Sequence, residues 1–244
     1  DFSGNFLWAK SFGGTSDDLG SSITVDASGN VHTIGWFQGI VDFDPGVGNV
    51  NLMSVGNNDI FVQKLDPTGN FLWARTFGSA SSDLGNSITV DASGNVYATG
   101  GFQGTVDFDP GAGTMNLNST GGYDIFVQKL DASGNFLWAQ SFGSFSPDLG
   151  NSIIVDASGD VYTTGAFQGT VNFDPGTGTT NLTSSGIRDV FIQKLDPSGN
   201  FLWAQSFGGT SNDLGHSITI DASKNVYTYG EFQAVGDFDP GAGT

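Results

Sequence analysis

Residues 66–74 read Asp-Pro-Thr-Gly-Asn-Phe-Leu-Trp-Ala, and this stretch returns almost unchanged elsewhere in the chain. The equivalent stretches are residues 1–9, 131–139 and 196–204. Each copy begins 65 residues after the one before it, without insertion or deletion. Such a constant repeat means that each unit meets its neighbours in nearly the same way, as in a solenoid or a propeller. We therefore expect functional residues at repeated positions on one face of the assembly.

One repeat unit contains two predicted hairpins. The pattern Asp-x-Ser-Gly-Asn at residues 91–95 and 131–135 favours a type I turn followed by glycine in the left-handed region. Runs of β-prone residues flank both turns. The four predicted strands, A to D, cover residues 87–91, 96–102, 125–130 and 136–142. Because apolar residues lie on both faces of these strands, the sheet is expected to be buried on both sides.

The predicted fold class is all-β, a β-propeller built from 65-residue four-stranded blades. A propeller is favoured over a solenoid or separate sandwiches because a blade is packed between two neighbours. We predict a single repeat domain over residues 1–244: residues 1–13 form the outer strand of a composite blade, residues 14–78, 79–143 and 144–208 form three complete blades, and residues 209–244 form a partial blade. A closed four-bladed ring, a larger ring continued by further sequence and an assembly between chains all remain open.

Composition excludes several classes of partner. The net charge of −18 argues against nucleic acid, since phosphate binding needs a basic patch. The chain has no cysteine, so neither disulfides nor thiolate metal sites form. No apolar run approaches the roughly 20 residues that span a bilayer, and we expect no membrane insertion. The acidic balance favours solubility, metal cations or cationic partners.

The unit also resembles a known family. Residues 73–100 combine Trp-Ala-x-Thr-Phe-Gly with Asp-Leu-Gly and Ser-Ile-Thr-Val-Asp-Ala-Ser-Gly-Asn-Val-Tyr, and this pattern is similar to the bacterial β-propeller repeat called SBBP. The resemblance covers a little under half of each unit. It implies propeller blades in secreted or cell-surface bacterial proteins, and it brings no catalytic residues. The chain differs from the simpler repeat by a long insertion between strands B and C, at residues 103–123.

That insertion carries the most distinctive motif, Asp-Phe-Asp-Pro-Gly, which we call the acidic loop. Two carboxylates two residues apart, followed by a forced turn, resemble the oxygen ligands that Ca²⁺ prefers. The alternative is a turn in which the first Asp caps the backbone and the Phe anchors the loop on the blade. The replacement of an acid by Asn in the third copy favours the turn. The candidate metal ligands are Asp42, Asp44, Asp107, Asp109, Asn172, Asp174, Asp237 and Asp239.

Another acid recurs in the loop between strands D and A, and we expect it to accept backbone hydrogen bonds rather than to bind a ligand. Its copies are Asp18, Asp83, Asp148 and Asp213. The two histidines, His32 and His216, occupy non-repeated positions, and no nucleophile with a base partner is recognisable. Catalysis is therefore not expected.

The sequence favours a non-catalytic segment of a large secreted or cell-surface bacterial protein, with a structural, adhesion or assembly role. Its expected partners are other chains or domains of a larger assembly, or surface glycans. The alternative is a Ca²⁺-dependent, lectin-like module with one shallow carbohydrate site per blade. We further expect the chain to be a piece of a longer protein.

Overall fold

The structure is a computed structural model, and it describes residues 1–239. Twenty-one strands are present in this part of the chain, and it contains no helix. The first unit contains β1 (Asp18–Val25), β2 (Val31–Phe37), β3 (Ile40–Asp42), β4 (Asn51–Met53), β5 (Asp59–Leu65) and β6 (Phe71–Phe77). The second contains β7 (Leu84–Val90), β8 (Val96–Phe102), β9 (Thr105–Asp107), β10 (Asn116–Asn118), β11 (Asp124–Leu130) and β12 (Phe136–Phe142). The third contains β13 (Leu149–Val155), β14 (Val161–Phe167), β15 (Thr170–Asn172), β16 (Asn181–Thr183), β17 (Asp189–Leu195) and β18 (Phe201–Gly209). The last contains β19 (Leu214–Ile220), β20 (Val226–Glu231) and β21 (Gly236–Asp237).

Each complete unit is one antiparallel sheet of four strands in chain order. The three sheets are β1-β2-β5-β6, β7-β8-β11-β12 and β13-β14-β17-β18, and β21 of the last unit extends the third sheet by a fifth strand. The prediction of an all-β fold built from four-stranded 65-residue blades is therefore confirmed. No helix in residues 1–239 is long and apolar enough to cross a membrane.

The predicted turns form because one aspartate satisfies the backbone of the whole turn. Oδ1 of Asp91 accepts hydrogen bonds from the backbone N–H groups of Ser93 and Asn95, both at 2.9 Å. Gly94 takes a φ of +78°, which a side chain would disfavour. The turn thus fixes the register of the strand A–strand B hairpin, and the same turn recurs between strands C and D.

The insertion between strands B and C contains a short hairpin that the sequence analysis did not predict. In the second unit β9 pairs with β10, from Asp107 opposite Asn116 to Thr105 opposite Asn118. The acidic loop lies at its tip, and the hairpin returns the chain to strand C. The same hairpin forms in the other complete units as β3–β4 and β15–β16.

The phenylalanine of the acidic loop joins each blade to the blade before it. Phe108 is fully buried, with its ring centroid 5.4 Å from Phe102 and 5.0 Å from Phe126 of its own blade. It also stacks on Phe77, in the outer strand of the preceding blade, at 6.0 Å. The equivalent pairs across the other junctions are Phe12–Phe43, Phe142–Phe173 and Phe207–Phe238. Each blade junction therefore has an aromatic core.

The two ends differ from the complete blades. Residues 1–17 contain no strand; within them Gly13 forms a single bridge with Asp42. In the described part of the chain, residues 1–13 therefore pair only at Gly13, and their role as the outer strand of a composite blade stays a prediction. The last unit supplies the pair β19–β20, and β21 pairs with β18 of the third blade. A composite blade made from both ends stays a prediction.

We expect Phe108→Ala to lower the free energy of unfolding by about 3–5 kcal/mol, because it removes a buried ring and leaves a cavity between two blades. Urea denaturation followed by tryptophan fluorescence measures this loss. The matched control is Phe145→Ala, at a ring that is 86% exposed, which should change the free energy by no more than about 0.5 kcal/mol. Equal losses in both variants would contradict the assigned role of Phe108.

Candidate functional site

The acidic loops are held on the blades by strand C. The side chain of Gln128 in β11 is buried, and its Nε2 donates a 2.7 Å hydrogen bond to the carbonyl oxygen of Phe108. Gln63 and Gln193 make the same bond, at 2.6 Å, to Phe43 and Phe173. A buried glutamine of strand C therefore fixes the position of each of these acidic loops.

The carboxylates of the acidic loop bind the loop's own backbone. Oδ1 of Asp107 accepts hydrogen bonds from the N–H of Asp109 at 3.0 Å and of Met115 at 2.8 Å. Oδ1 of Asp109 accepts one from Gly111 at 2.8 Å. Asp42 and Asp44 make the same bonds in the first unit. One oxygen of each carboxylate is therefore engaged in shaping the turn.

The third copy shows that the first position of the motif needs no charge. Oδ1 of Asn172 accepts hydrogen bonds from Asp174 at 3.2 Å and Thr180 at 2.7 Å, as its aspartate counterparts do. The amide oxygen of asparagine can replace a carboxylate oxygen as the acceptor here, because the donors are neutral backbone N–H groups. In the last copy Asp237 accepts a bond from the N–H of Asp239, and the remainder of that loop lies outside the described residues.

The structure brings the two acids of each loop into one turn but adds no third acid. Within residues 1–239 no group of three or more His, Cys, Asp or Glu side chains is placed to hold a metal ion. Ca²⁺ prefers six to eight oxygen ligands, and backbone carbonyls and water would have to supply the rest. A Ca²⁺ site at the acidic loops stays a prediction.

The aspartates of the D–A loops clamp two blade elements together. Oδ2 of Asp83 accepts a 2.7 Å bond from the N–H of Ser79, and Oδ1 accepts a 2.8 Å bond from the N–H of Gln103. The first donor lies in the D–A loop and the second just after strand B. Asp148 and Asp213 make equivalent bonds with both oxygens. Asp18 bonds the N–H groups of Gly14 and Gln38 in the same way.

A second buried aspartate, at the start of strand C, lies close to the clamps of Asp83, Asp148 and Asp213, and the sequence analysis did not single it out. Burial, with a smaller contribution from the nearby charge of Asp59, raises the pKa of Asp83 to about 6. Burial, with a smaller contribution from the charge of Asp148, likewise raises the pKa of Asp124 to about 6. At the third junction burial raises the pKa of Asp189. At each of these three junctions the charge of one carboxylate thus contributes to the raised pKa of another.

The side chains that could support catalysis are engaged structurally. His32 is buried, and its Nε2 lies 3.2 Å from Oδ2 of Asp26, while its Nδ1 has no hydrogen-bond partner within residues 1–239. In the next blade Tyr97 fills this place and donates to Asp91. His216 pairs with Glu231 at 3.4 Å on the surface. Among the described residues, neither histidine is bonded to a nucleophilic side chain.

The repeated tryptophans tie each outer strand to the following blade. Nε1 of Trp73 donates to the carbonyl of Ala132 at 3.3 Å, and Nε1 of Trp138 donates to Pro197 at 3.1 Å. The N-terminal segment lies on the first blade in the same manner, because Trp8 donates to Pro67 at 3.0 Å. These indoles thus serve the blade junctions.

One apolar cavity that the sequence analysis did not predict lies between the third blade and the last unit. Its volume is about 260 Å³, and its lining includes Val190, Phe207, Tyr229, Phe232 and Phe238. The signal in the sequence is Tyr229, which stands where the other units have Ile34, Thr99 and Thr164.

Comparisons with known proteins find distant relatives. An uncharacterized WD repeat-containing protein of Acanthamoeba polyphaga mimivirus is 25% identical over 88% of this chain and 18% of its own length. The regulatory protein FlaEY of Caulobacter vibrioides is 26% identical over 91% of this chain and 23% of its own length. The chain thus spans about a fifth of the length of the curated relatives it matches. No protein-family model matches the chain. The relation to WD-repeat and FlaEY proteins accords with blades of the propeller type, and the SBBP resemblance stays a prediction.

We expect the free energy of unfolding of Asp107→Asn to lie within about 0.5 kcal/mol of the wild-type value, because Asn172 makes the same two hydrogen bonds in the third unit. Asp107→Ala removes the acceptor and should cost about 1–2 kcal/mol. Urea denaturation in EDTA and in millimolar Ca²⁺ measures both variants. A Ca²⁺-linked stabilisation that Asp107→Asn abolishes would contradict the turn role and establish a cation site.

We expect the melting temperature to rise by a few degrees as the pH falls from 7.5 to 5. A raised pKa means that the fold favours the protonated carboxyl, so the stabilisation is present at low pH and is lost as the pH rises through about 6. Scanning calorimetry across this range measures the effect.

Asp124→Asn should reduce the change of melting temperature with pH, since the asparagine side chain cannot ionise. The matched control is Asp66→Asn, because hydrogen bonds from the backbone and side chain of Asn70 lower the pKa of Asp66 below the tested range. This control removes one charge and should leave the slope unchanged. A melting temperature that falls towards pH 5 would refute the assignment.

Proposed function

We propose that this chain is a non-catalytic β-propeller segment of a large secreted or cell-surface bacterial protein, with a structural, adhesion or assembly role. The observation that carries the proposal is that the repeated acids make the same structural hydrogen bonds in each unit. At every described copy the first residue of the acidic loop (Asp, or Asn172 in the third copy) and the D–A loop aspartate accept backbone hydrogen bonds, as at Asp107 and Asp83. An active site would require one unit to depart chemically from the others around a pocket.

The setting of the proposal rests on composition and resemblance. A net charge of −18 with no cysteine suits a soluble surface in a salty, extracellular medium. The SBBP-like stretch at residues 73–100 is typical of secreted or surface-exposed bacterial proteins. The partners would be other chains or domains of a larger assembly, or surface glycans.

The relatives are consistent with a repeat segment inside a longer protein. Both are several times longer than the aligned region, as the covered shares of 18% and 23% show. The regulatory role in the name of FlaEY belongs to that protein as a whole. For this chain we propose only that the repeat unit serves as a scaffold.

The purified chain should show no turnover of chromogenic glycosides and esters, and no Ca²⁺-dependent binding on a glycan array, since the repeated carboxylates serve the fold. Initial rates, and array signals in Ca²⁺ and in EDTA, provide the readout. Turnover that is lost when the acids of one blade are changed to Asn would contradict the proposal. Glycan signals that disappear in EDTA would establish the lectin-like alternative.

A further inference from the structure

The outer strand of each complete blade carries an exposed leucine at the same position of the repeat. These residues are Leu72, Leu137 and Leu202, which are 47%, 47% and 46% exposed. Other exposed apolar residues of the blades change from unit to unit: Val47, for example, is replaced by Ala112 and Thr177. Since an exposed side chain adds little to the core, a leucine kept in every copy indicates a role at the surface.

A β-bulge sets this leucine apart from the regular pairing of the sheet. The register between β5 and β6 passes from Phe71 to Trp73, so that Leu72 has no partner residue on β5. The same shift occurs at Leu137 in β12 and at Leu202 in β18. Bulges re-aim a side chain and recur beside functional sites. The repeat thus presents one apolar side chain at the outer edge of each complete blade.

A groove runs along this edge between the first and second blades, and we call it the β6 groove. Its volume is about 560 Å³. It is lined by residues 71–75 of β6, by Val50 of the same blade, and by Ala132 and Ser133 in the C–D turn of the next blade. Because neighbouring side chains of a strand point to opposite faces, a groove that touches a continuous run of them lies at the strand's edge.

The backbone along this edge is not paired in the described part of the chain. β6 is the outermost strand of its sheet, and β5 is its only neighbour there. Alternate N–H and C=O groups of β6 therefore point towards the groove. On the third blade β21 pairs with the outer strand β18, at Gly208 and Gly209. The edge of an outer strand in this fold thus accepts a further strand.

The β6 groove also contains a cation. Nε of Arg75 donates to the carbonyl of Gly134 at 2.9 Å, and Nη2 donates to that of Ser133 at 3.2 Å. These bonds, and one to the backbone of its own strand, leave other N–H donors of the guanidinium unused. Lys64 in the same groove pairs with Asp26 at 3.2 Å, whereas Arg75 forms no salt bridge within residues 1–239.

We propose that the β6 groove binds an extended peptide segment of a partner protein, with an apolar side chain on Leu72 and a carboxylate on Arg75. The unpaired edge of β6 selects an extended chain, because a strand matches its hydrogen-bonding groups. Leu72 selects an apolar neighbour, and the guanidinium selects an acid. In a chain with a net charge of −18, an acid is attracted only beside such a local cation.

The walls of the groove favour a peptide over a glycan. The indole that lines it, Trp73, is only 8% exposed, so a sugar ring has no aromatic face on which to stack. The exposed apolar contact is instead the aliphatic side chain of Leu72. The inference rests on the scaffold function proposed above and names the chemistry of its partner.

An array of synthetic peptides, probed with the labelled whole chain, tests the proposal. The array consists of heptapeptides of Thr and Ser in which one Asp and one Val are moved through every pair of positions. A second array has Lys in place of Asp. The chain should bind a subset of the acidic peptides at least about fivefold more strongly than their lysine counterparts, because Arg75 attracts only the former.

Variants then assign the binding to the β6 groove, with fluorescence anisotropy of the strongest acidic peptide as the readout. Arg75→Gln gives the first blade the residue of the second, where Nε2 of Gln140 bonds the next C–D turn at Gly199. This variant and Leu72→Ser should each weaken binding by about fivefold or more. The matched control is Leu137→Ser, at an equally exposed leucine beside Gln140, which should change the affinity by less than about twofold. Circular dichroism should show an unchanged fold in all three variants.

Two backbone-methylated copies of the same peptide test the strand pairing. One copy is methylated on its odd-numbered nitrogens and the other on its even-numbered nitrogens. Because a strand pairs with one neighbour through alternate N–H groups, one copy should lose binding and the other should keep it.

The proposal is overturned if the acidic and lysine arrays bind alike, or if Arg75→Gln keeps the wild-type affinity. Equal losses in Leu72→Ser and Leu137→Ser, or binding of both methylated copies, would overturn it as well. Self-association of the wild type that Leu72→Ser abolishes would assign the edge to a second copy and contradict a peptide partner. None of these measurements reads turnover or glycan binding, so failure of the peptide site and failure of the scaffold function are distinguishable.

Discussion

A phenylalanine from a loop, set against the outer strand of the preceding blade, is the contact on which the rest of this structure depends. Phe108 belongs to the second blade, yet it stacks on Phe77 of the first. Its backbone carbonyl is held by Gln128 in the centre of its own sheet. The long excursion between strands B and C is therefore part of the junction and not a free loop. Because the motif recurs every 65 residues, the same contact positions each successive blade.

This constraint explains how a very acidic chain uses its carboxylates. The aspartates of the hairpin turns, the acidic loops and the D–A loops accept hydrogen bonds from backbone N–H groups. Burial of acids such as Asp83 and Asp124 raises the pKa of both. Many of the repeated aspartates thus stabilise turns and blade junctions.

The sequence predicted the features that depend on local rules. The Asp-x-Ser-Gly-Asn turns and the alternating apolar runs are local signals, and the strands and their order follow from them. The turn role of the first loop acid could be judged from Asn172 alone, because Asn and Asp share the accepting oxygen.

The features that the sequence did not predict depend on neighbours. The pairing of β9 with β10 and the contact of Phe108 with the preceding blade both require the blades to be packed side by side. The buried companion acids, such as Asp59, were missed because their charge matters only where they meet a D–A loop from the next unit. The role of residues 1–13 as an outer strand also depends on a neighbouring strand, and among the described residues they pair only through the bridge of Gly13 to Asp42.

Amide hydrogen exchange measured by mass spectrometry at several protein concentrations tests the central claim most directly, namely that one junction surface organises the whole chain. The account predicts that strands β8, β11 and β14, inside complete blades, exchange slowest at every concentration. It predicts that the tips of the acidic loops exchange faster than these strands at every concentration. Protection that appears at the loop tips instead, or fast exchange of the interior blade strands, would contradict it.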